Sequence, residues 1–155
     1  KVNDEMRGDF LQPDPAVRRY ESVKRTVERV ERIYGRLEPA QKQVIAAGVA
    51  ASPFNPEQWL ADRERRQRDT LAILRDLVAT GADRDQRLAG LRTLALRVER
   101  SPDPDYRAYQ ARLSEYNCDF AARIHNATTP EQRRKARDTL NGWADDFRAL
   151  AATPV

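Results

Sequence analysis

Prolines at five similar joints constrain how this chain folds. Each of the five follows a polar residue and precedes a run of helix-forming residues. The five pairs are Asp14-Pro15, Glu38-Pro39, Asn55-Pro56, Asp103-Pro104 and Thr129-Pro130. Proline is favoured at the first helical position because its missing N–H would have no intrahelical partner there, and a preceding Asp, Asn or Thr accepts from first-turn amides. The pattern therefore predicts five helices that each begin at a proline.

Three of these helix starts carry a second signal, a glutamine three residues after the cap. They are Glu38–Gln41, Asn55–Gln58 and Thr129–Gln132. In a capping box, the glutamine side chain reaches back to the N–H of the cap, although Glu38 is a poor cap residue. Phe54 stands directly before the cap Asn55 and is placed to act as a hydrophobic staple.

The spacing of apolar residues predicts an all-α fold. Helical periodicity runs through six segments: 15–35, the segment after Pro39, 56–80, 84–100, the segment after Pro104, and 130–151. No segment shows the alternation expected of a strand. The connections are short, which favours antiparallel neighbours. We therefore predict one domain over residues 1–155, a single antiparallel bundle of about six helices, with residues 1–12 as the tail of a preceding helix.

Three apolar stripes are expected to face the core of this bundle. In 15–35 the stripe is Val17, Tyr20, Val23, Val27, Val30, Ile33 and Tyr34. After Pro104 it is Tyr106, Tyr109, Leu113, Tyr116, Phe120 and Ile124, and the small residues opposite, such as Cys118, predict a helix sandwiched between neighbours. The last helix repeats Ala136, Leu140, Trp143, Phe147 and Leu150 in a rhythm typical of bundle packing.

The core pattern is interrupted in the middle of the 56–80 helix. An expected seam of Leu60, Leu71, Leu74 and Val78 has Arg63, Glu64 and Gln67 at its centre. An arginine-lined seam could hold a carboxylate, a phosphate or an acidic peptide. Alternatively, its arginines pair with carboxylates of neighbouring helices and fix their register. Aromatic and arginine residues dominate binding surfaces, so the predicted partner-binding residues are Trp59, Arg63, Arg66 and Gln67.

Catalytic constellations are not recognisable in the sequence. One His and one Cys are too few for the usual zinc ligand set. Cys118 and His125 are separated by roughly 10 Å along one helix, so we interpret them as a small buried thiol and a partly exposed imidazole. The acidic pairs at Asp103 and Asp145 lie near helix ends, where cap or surface roles explain them. We expect no catalytic residue, metal or cofactor.

The charge of the chain leaves two alternative functions open. The net charge is +4 with 24 arginines, but acids and bases are interleaved, as in Glu21 and Arg25. A binder of anionic lipid, glycan or nucleic acid would need one contiguous basic face. An enzyme with an arginine–carboxylate cleft would need a pocket that holds acids of perturbed pKa. No apolar run approaches the ~20 residues that cross a bilayer.

Several runs of the sequence resemble an uncharacterised family of proteobacterial lipoproteins. They include 32–37, 51–54, 59–63, 66–67, 100–106, 116–118, 125–130 and 142–148. The resemblance implies that this chain is the C-terminal half of a longer lipoprotein of the periplasm. It implies membrane attachment only through lipid on an N-terminal cysteine outside this sequence, which Cys118 cannot be. The family has no established activity and supplies no mechanism.

A weaker similarity links two of the helix starts to the Spy and CpxP group of periplasmic helical proteins. Their Leu-Thr-x-x-Gln motifs resemble 37–41 and 129–132, although Glu38 replaces the Thr of the first motif and no Leu precedes Thr129. The similarity implies a chaperone-like character. Our leading hypothesis is a non-enzymatic helical protein of the cell envelope that binds a protein or peptide partner.

Overall fold

The computed structural model describes residues 2–152, and these residues are all-helical. They form seven helices and no strand. The helices are α1 (Val2–Phe10), α2 (Pro15–Tyr34), α3 (Pro39–Ala51), α4 (Pro56–Ala79), α5 (Arg84–Glu99), α6 (Pro104–Ala127) and α7 (Pro130–Ala152). The all-α prediction is confirmed. Helix α1 adds a seventh to the six expected, in the segment that was interpreted as the tail of a preceding helix.

The proline-started helices are confirmed at all five joints. Helices α2, α3, α4, α6 and α7 each begin at the expected proline. The Asp14 carboxylate accepts from the N–H of Ala16 at 2.7 Å. Asp103 accepts from the N–H groups of Asp105 and Tyr106 at 2.9 and 3.2 Å, which confirms its cap role. Local chemistry at the joints therefore decides where these helices start.

The capping boxes form at two of the three expected sites. At Thr129 both reciprocal bonds with Gln132 are present, at 2.9 and 3.2 Å. Gln41 likewise accepts from the N–H of Glu38 at 2.9 Å. Asn55 accepts from Gln58 N–H at 2.8 Å, but its own N–H donates to the Tyr109 hydroxyl of α6 at 3.0 Å. The third box was therefore wrong, because a tertiary contact takes the N–H.

The described residues group into two compact units. The first comprises the residues up to Gln12 together with Pro53–Glu115, and the second comprises Pro13–Ser52 together with the residues from Tyr116 onward. Helix α6 contributes its first half to unit 1 and its second half to unit 2. That residues 1–155 form a single domain stays a prediction.

The core of unit 2 lies where α2, α3 and the second half of α6 contribute apolar side chains. Leu37, Ile45 and Ile124 are buried. Val23, Val27, Val30, Val49 and Phe120 pack against them. A Cβ added to Gly48 would overlap the Phe120 ring, and the Tyr116 hydroxyl donates to the Gly48 carbonyl at 2.5 Å. The absence of a side chain at Gly48 thus permits the close approach of α3 and α6.

The expected stripe of α2 is buried only in part. Val23, Val27 and Val30 pack on the core as predicted, but Val17 and Tyr20 are exposed. Helix α3, which packs along α2, has 13 residues against 20 in α2. At 1.5 Å per residue it spans roughly 20 Å of the roughly 30 Å of α2. It is therefore too short to cover the first turns, and α7, which also packs against α2, leaves Val17 and Tyr20 exposed as well.

Helix α6 buries its aromatic stripe and exposes the opposite face. Tyr106, Tyr109 and Ile124 are buried, as predicted. Cys118 is exposed, so both the sandwiched helix and the buried thiol were wrong. Small side chains offer little apolar area to a neighbour, so this face gains little from being covered.

Replacement of Gly48 by Ala should destabilise the protein because the new methyl group would overlap the Phe120 ring. We expect a loss of about 1–3 kcal/mol in the free energy of unfolding, measured by urea denaturation. Gly142→Ala is the matched control, since an added Cβ there meets nothing within 4 Å in helix α7. Helix propensity alone should then raise stability by up to about 1 kcal/mol. Equal effects would contradict the close approach.

Candidate functional site

The four predicted partner-binding residues lie on one side of helix α4, in unit 1. Trp59, Arg63, Arg66 and Gln67 follow each other at steps of four, three and one residues, which keeps them within about 100° around the helix. The structure brings Trp59, Arg63 and Gln67 against α1. Arg66 lies instead beside Asp62.

An aromatic cluster forms at the beginning of α4. The ring centroids of Phe10 and Trp59 are 5.2 Å apart, and Phe54 lies 6.3 Å from Phe10 and 6.4 Å from Trp59. The tilted rings suit the quadrupoles of aromatic pairs. The contact between Phe54 and Trp59 confirms the hydrophobic staple. The Arg63 guanidinium lies 6.0 Å from the centroid of the Trp59 ring, at the outer range of a cation–π contact.

Polar contacts continue the pairing of α1 with α4. The Asn3 amide donates to Gln67 Oε1 at 2.8 Å and accepts from Gln67 Nε2 at 3.3 Å. Arg7 and Glu64 form an ion pair at 2.5 Å. Going along α1, Asn3, Arg7 and Phe10 contact residues of falling number on α4, namely Gln67, Glu64 and Trp59. The two helices therefore run antiparallel. We call Trp59, Arg63, Glu64 and Gln67 the strap surface of α4.

Next to these residues on α4, arginines surround the buried carboxylate of Asp62. Asp62 is 6% exposed and bonds to Arg65 at 2.5 Å. It also accepts from the Ser101 hydroxyl at 3.4 Å. Arg66 Nε lies 3.0 Å from Asp62 Oδ2, although its N–H is not aligned for a hydrogen bond. A buried carboxylate requires such partners, so these two arginines pair inside their own helix.

The same cluster shifts two pKa values. The hydrogen bonds that Arg65 donates to Asp62 raise the pKa of its guanidinium above the ordinary value, and the nearby Asp69 adds to the effect. Burial raises the pKa of the Tyr106 hydroxyl, and the negative charge of Asp62 adds to that shift. Both shifts favour the protonated side chains. The cluster is consistent with an ion-pair network that fixes α4.

Helix α7 of unit 2 exposes an apolar stripe that the sequence predicted to be buried. Ala136 is buried, but Leu140, Trp143, Phe147 and Leu150 are exposed, the last two at 71% each. Helix α7 packs against α2, where Thr139 donates to the Ile33 carbonyl at 3.4 Å. The prediction that this stripe packs in a bundle was therefore wrong from Leu140 onward. We call these four exposed residues the α7 stripe.

The expected seam of α4 is also mostly uncovered. Leu60 is buried, but Leu71, Leu74 and Val78 are exposed. Helix α5 packs against α4, and a Cβ at Gly90 would contact the Leu77 side chain at 2.8 Å. The face of α4 that meets α5 therefore includes Leu77, which was not part of the predicted seam.

Two capping glutamines of unit 2 bond to each other, which sequence reasoning missed. The Gln41 amide donates to Gln132 Oε1 at 2.7 Å, and the Gln132 amide donates to Gln41 Oε1 at 3.0 Å. Each amide also donates to a backbone carbonyl, Gln41 to Ala127 and Gln132 to Arg36, both at 2.9 Å. The sequence showed the two capping-box patterns, but it did not indicate that their glutamines would contact each other. The pair ties the start of α3 to the start of α7.

A surface cavity of about 620 Å³ lies beside the loop between α2 and α3. It is lined by Arg36, Leu37, Glu38, Pro39 and Lys42. Lys42 pairs with Glu31 at 3.2 Å, and Glu31 accepts from the N–H of Leu37 at 3.0 Å. This backbone hydrogen bond, followed by the charge of Lys42, lowers the pKa of the Glu31 carboxyl. Glu31 therefore holds the loop that inserts Leu37 into the core.

The remaining reactive side chains are not assembled into a site. The exposed Cys118 lies on α6, and His125 Nδ1 lies 3.0 Å from the Tyr34 hydroxyl. Among residues 2–152, no group of three or more His, Cys, Asp or Glu side chains is placed to hold a metal ion. No helix within that range combines the length and the apolar character needed to cross a membrane.

Comparisons with protein-family models, curated proteins and solved structures find no match to this chain. The resemblance to the lipoprotein family, and the weaker one to the Spy and CpxP group, therefore stay predictions.

Replacement of Asp62 by Asn should destabilise unit 1 because Arg65 and Arg66 would lose their buried counter-charge. We expect a loss of about 1.5–3 kcal/mol, the range for hydrogen bonds to charged groups. Asp69→Asn is the matched control: it removes another carboxylate bonded to Arg65, at 2.8 Å, but a more exposed one. A loss of about 0–1 kcal/mol is expected there. Urea denaturation measures both, and equal losses would contradict the central role of Asp62.

The Glu31 carboxylate should make stability dependent on pH. Its folded pKa lies below the ordinary value of 4.5, so its contribution is complete above that pH. The contribution is lost as the pH falls through the lower folded pKa. Glu31→Gln keeps an acceptor for the Leu37 N–H but removes the charge.

The stability difference between wild type and Glu31→Gln should therefore be present at about pH 7 and be smaller at about pH 3. Urea midpoints at the two pH values measure it. Glu31→Ala, which also removes the acceptor, should remain destabilised at both. A stability difference between wild type and Glu31→Gln that is as large at about pH 3 as at about pH 7 would argue against this role of the carboxylate.

Proposed function

We propose that this chain is a non-enzymatic helical protein of the bacterial envelope that binds protein or peptide partners and has a chaperone-like character. The observation that carries the proposal is the α7 stripe, which presents Leu140, Trp143, Phe147 and Leu150 on one exposed face. The lipoprotein resemblance supports the envelope location and an N-terminal lipid anchor. The short connections between proline-started helices support a mostly antiparallel bundle as its framework.

The chemistry of the α7 stripe suits an apolar segment of another polypeptide. Tryptophan and phenylalanine bury large areas on contact and are common anchors at interfaces. The exposed pair of Asp145 and Arg148, joined at 2.6 Å, lies on the other side of α7 and leaves the stripe free of charged side chains from this pair. Contiguous exposed apolar patches mark interaction sites. A partner would therefore be held by apolar contacts rather than by net charge.

The four predicted partner-binding residues of α4 remain a proposed second contact area. Trp59, Arg63 and Arg66 are half-buried, so part of each side chain is open to solvent. Gln67 is exposed. These four residues offer an aromatic ring, two guanidinium groups and an amide to a partner, the combination that made them binding candidates.

No observed feature specifically favours either alternative function. Arginines such as Arg7, Arg65 and Arg148 are paired with carboxylates. A polyanion would have to compete with those partners. The acids with which Arg65 pairs, Asp62 and Asp69, belong to a network that fixes α4. Salt dependence therefore separates the protein-binding proposal from the polyanion alternative in one experiment.

The α7 stripe should be required for binding of an unfolded polypeptide. We expect Phe147→Ser with Leu150→Ser to weaken binding of a reduced, carboxymethylated client protein at least about tenfold, equivalent to about 1.4 kcal/mol. Binding is measured by light-scattering suppression and by titration at low and high salt. Because both residues are exposed, the double variant should unfold at the wild-type urea midpoint.

Leu96→Ser is the matched control, since Leu96 is 65% exposed on α5 of the other unit. It should leave client binding unchanged. Equal losses in both variants, or client binding that disappears at high salt, would overturn the proposal and favour a polyanion binder.

A further inference from the structure

We propose that helix α1 is a displaceable strap, and that a partner helix with the side-chain pattern of α1 docks on the strap surface by replacing it. The inference rests on the proposed function, since it names the kind of peptide that one surface accepts. It concerns unit 1 alone, whereas the α7 stripe belongs to unit 2. The two can therefore fail separately.

The side chains of α1 show what the strap surface recognises. Asn3, Arg7 and Phe10 lie at steps of four and three residues, on one face of a helix. Their partners are an amide, a carboxylate and an aromatic ring: Gln67, Glu64 and Trp59. Each contact is of a different chemical type, so register and direction are both specified. A competing helix needs an amide, a base and an aromatic residue at the same spacing, running antiparallel to α4.

Helix α1 is held by contacts that release easily. It has nine residues, and none of them is buried. An isolated helix of fewer than about 12 residues is marginal in water, and Gly8 in the middle of α1 weakens it further. The ion pair between Arg7 and Glu64 and the amide pair of Asn3 and Gln67 involve exposed or half-exposed groups. Such surface pairs add little stability, and elements of this kind open locally.

The surface under α1 is fixed independently of it. Helix α4 has 24 residues, and its buried side chains include Leu60 and Asp62. The network of Asp62 with Arg65 and Ser101 lies on the side of α4 away from Asn3 and Arg7. When α1 leaves, Trp59 and Gln67 therefore stay on an ordered helix. The released surface has an uncovered tryptophan beside an arginine and a carboxylate.

Competition between the strap and a partner has a measurable consequence. The apparent affinity of a partner equals its intrinsic affinity scaled by the fraction of molecules in which the strap is open. A change that weakens α1 must raise the apparent affinity for a peptide added in trans. A change that removes the shared contact on α4 must lower it.

The probe is a fluorescent synthetic peptide of residues 2–12, titrated against the full chain and followed by anisotropy. Phe10→Ala in the protein should raise the affinity for this peptide about tenfold over wild type, because the strap loses its aromatic anchor while the peptide keeps it. Adding Trp59→Ala should abolish the gain. Val2→Ala is the matched control, since Val2 is 53% exposed on the same helix, and should change nothing.

A locked strap gives the opposite test. Arg7→Cys and Glu64→Cys, in a Cys118→Ser background, keep Trp59, Arg63 and Gln67 of the strap surface and remove the Glu64 carboxylate. Joining the two cysteines with a short bis-maleimide should block the peptide, whereas the same variant without the cross-link should bind it, although more weakly than Phe10→Ala does. Circular dichroism and the urea midpoint confirm that both forms are folded.

The proposal that α1 is displaceable would be overturned if the peptide bound equally to wild type, Phe10→Ala and the locked protein. It would also be overturned if the peptide bound to none of them. If the strap fails while the α7 variants still lose client binding, the proposed function stands without it. If the strap responds as expected while the α7 variants bind clients normally, the role of the α7 stripe is the part that fails.

Discussion

The free amides at helix starts are the constraint on which this structure depends. A first turn leaves N–H groups without intrahelical partners, and the joints of this chain supply side chains for them. Gln41 and Gln132 cap their own helices and also bond to each other, because each amide donates to the other side chain and to a backbone carbonyl. One residue type thus caps two helices and holds their ends together. The packing of unit 2 begins from that junction, with Leu37 buried four residues before Gln41.

Features decided by neighbouring residues could be predicted from the sequence, and features decided by distant ones could not. The proline starts, the Asp103 cap and the Phe54 staple depend on residues within one turn. The box at Asn55 failed because Tyr109, 54 residues away, takes its N–H. The α7 stripe failed for a related reason. An apolar face shows that a helix can be buried, but the lengths and positions of its neighbours decide how much of it is covered.

The candidate site shows the same division. Arg63 and Gln67 were predicted because the apolar pattern of α4 is interrupted there, and Trp59 because aromatic residues are common anchors at interfaces. The interruption lies on the face covered by α1. The partners Asn3 and Arg7 lie 64 and 57 residues away from Gln67 and Glu64. Their spacing within α1 was readable, but a nine-residue segment without a cap signal gave no indication of what it would meet. Arg65 and Asp62 were missed because their pairing is inside one helix and looks like an ordinary charged surface.

The two surfaces differ in how they would select a partner. The α7 stripe is open and mainly apolar, and apolar contact is non-directional, so it would accept many unfolded segments with little discrimination. The strap surface combines an amide pair, an ion pair and an aromatic contact in a fixed order. A ligand that displaces α1 must supply its own contacts to the amide of Gln67, the carboxylate of Glu64 and the ring of Trp59. A partner of the strap surface must compete with α1, whereas the α7 stripe is already exposed. Selectivity in this protein would therefore reside in unit 1.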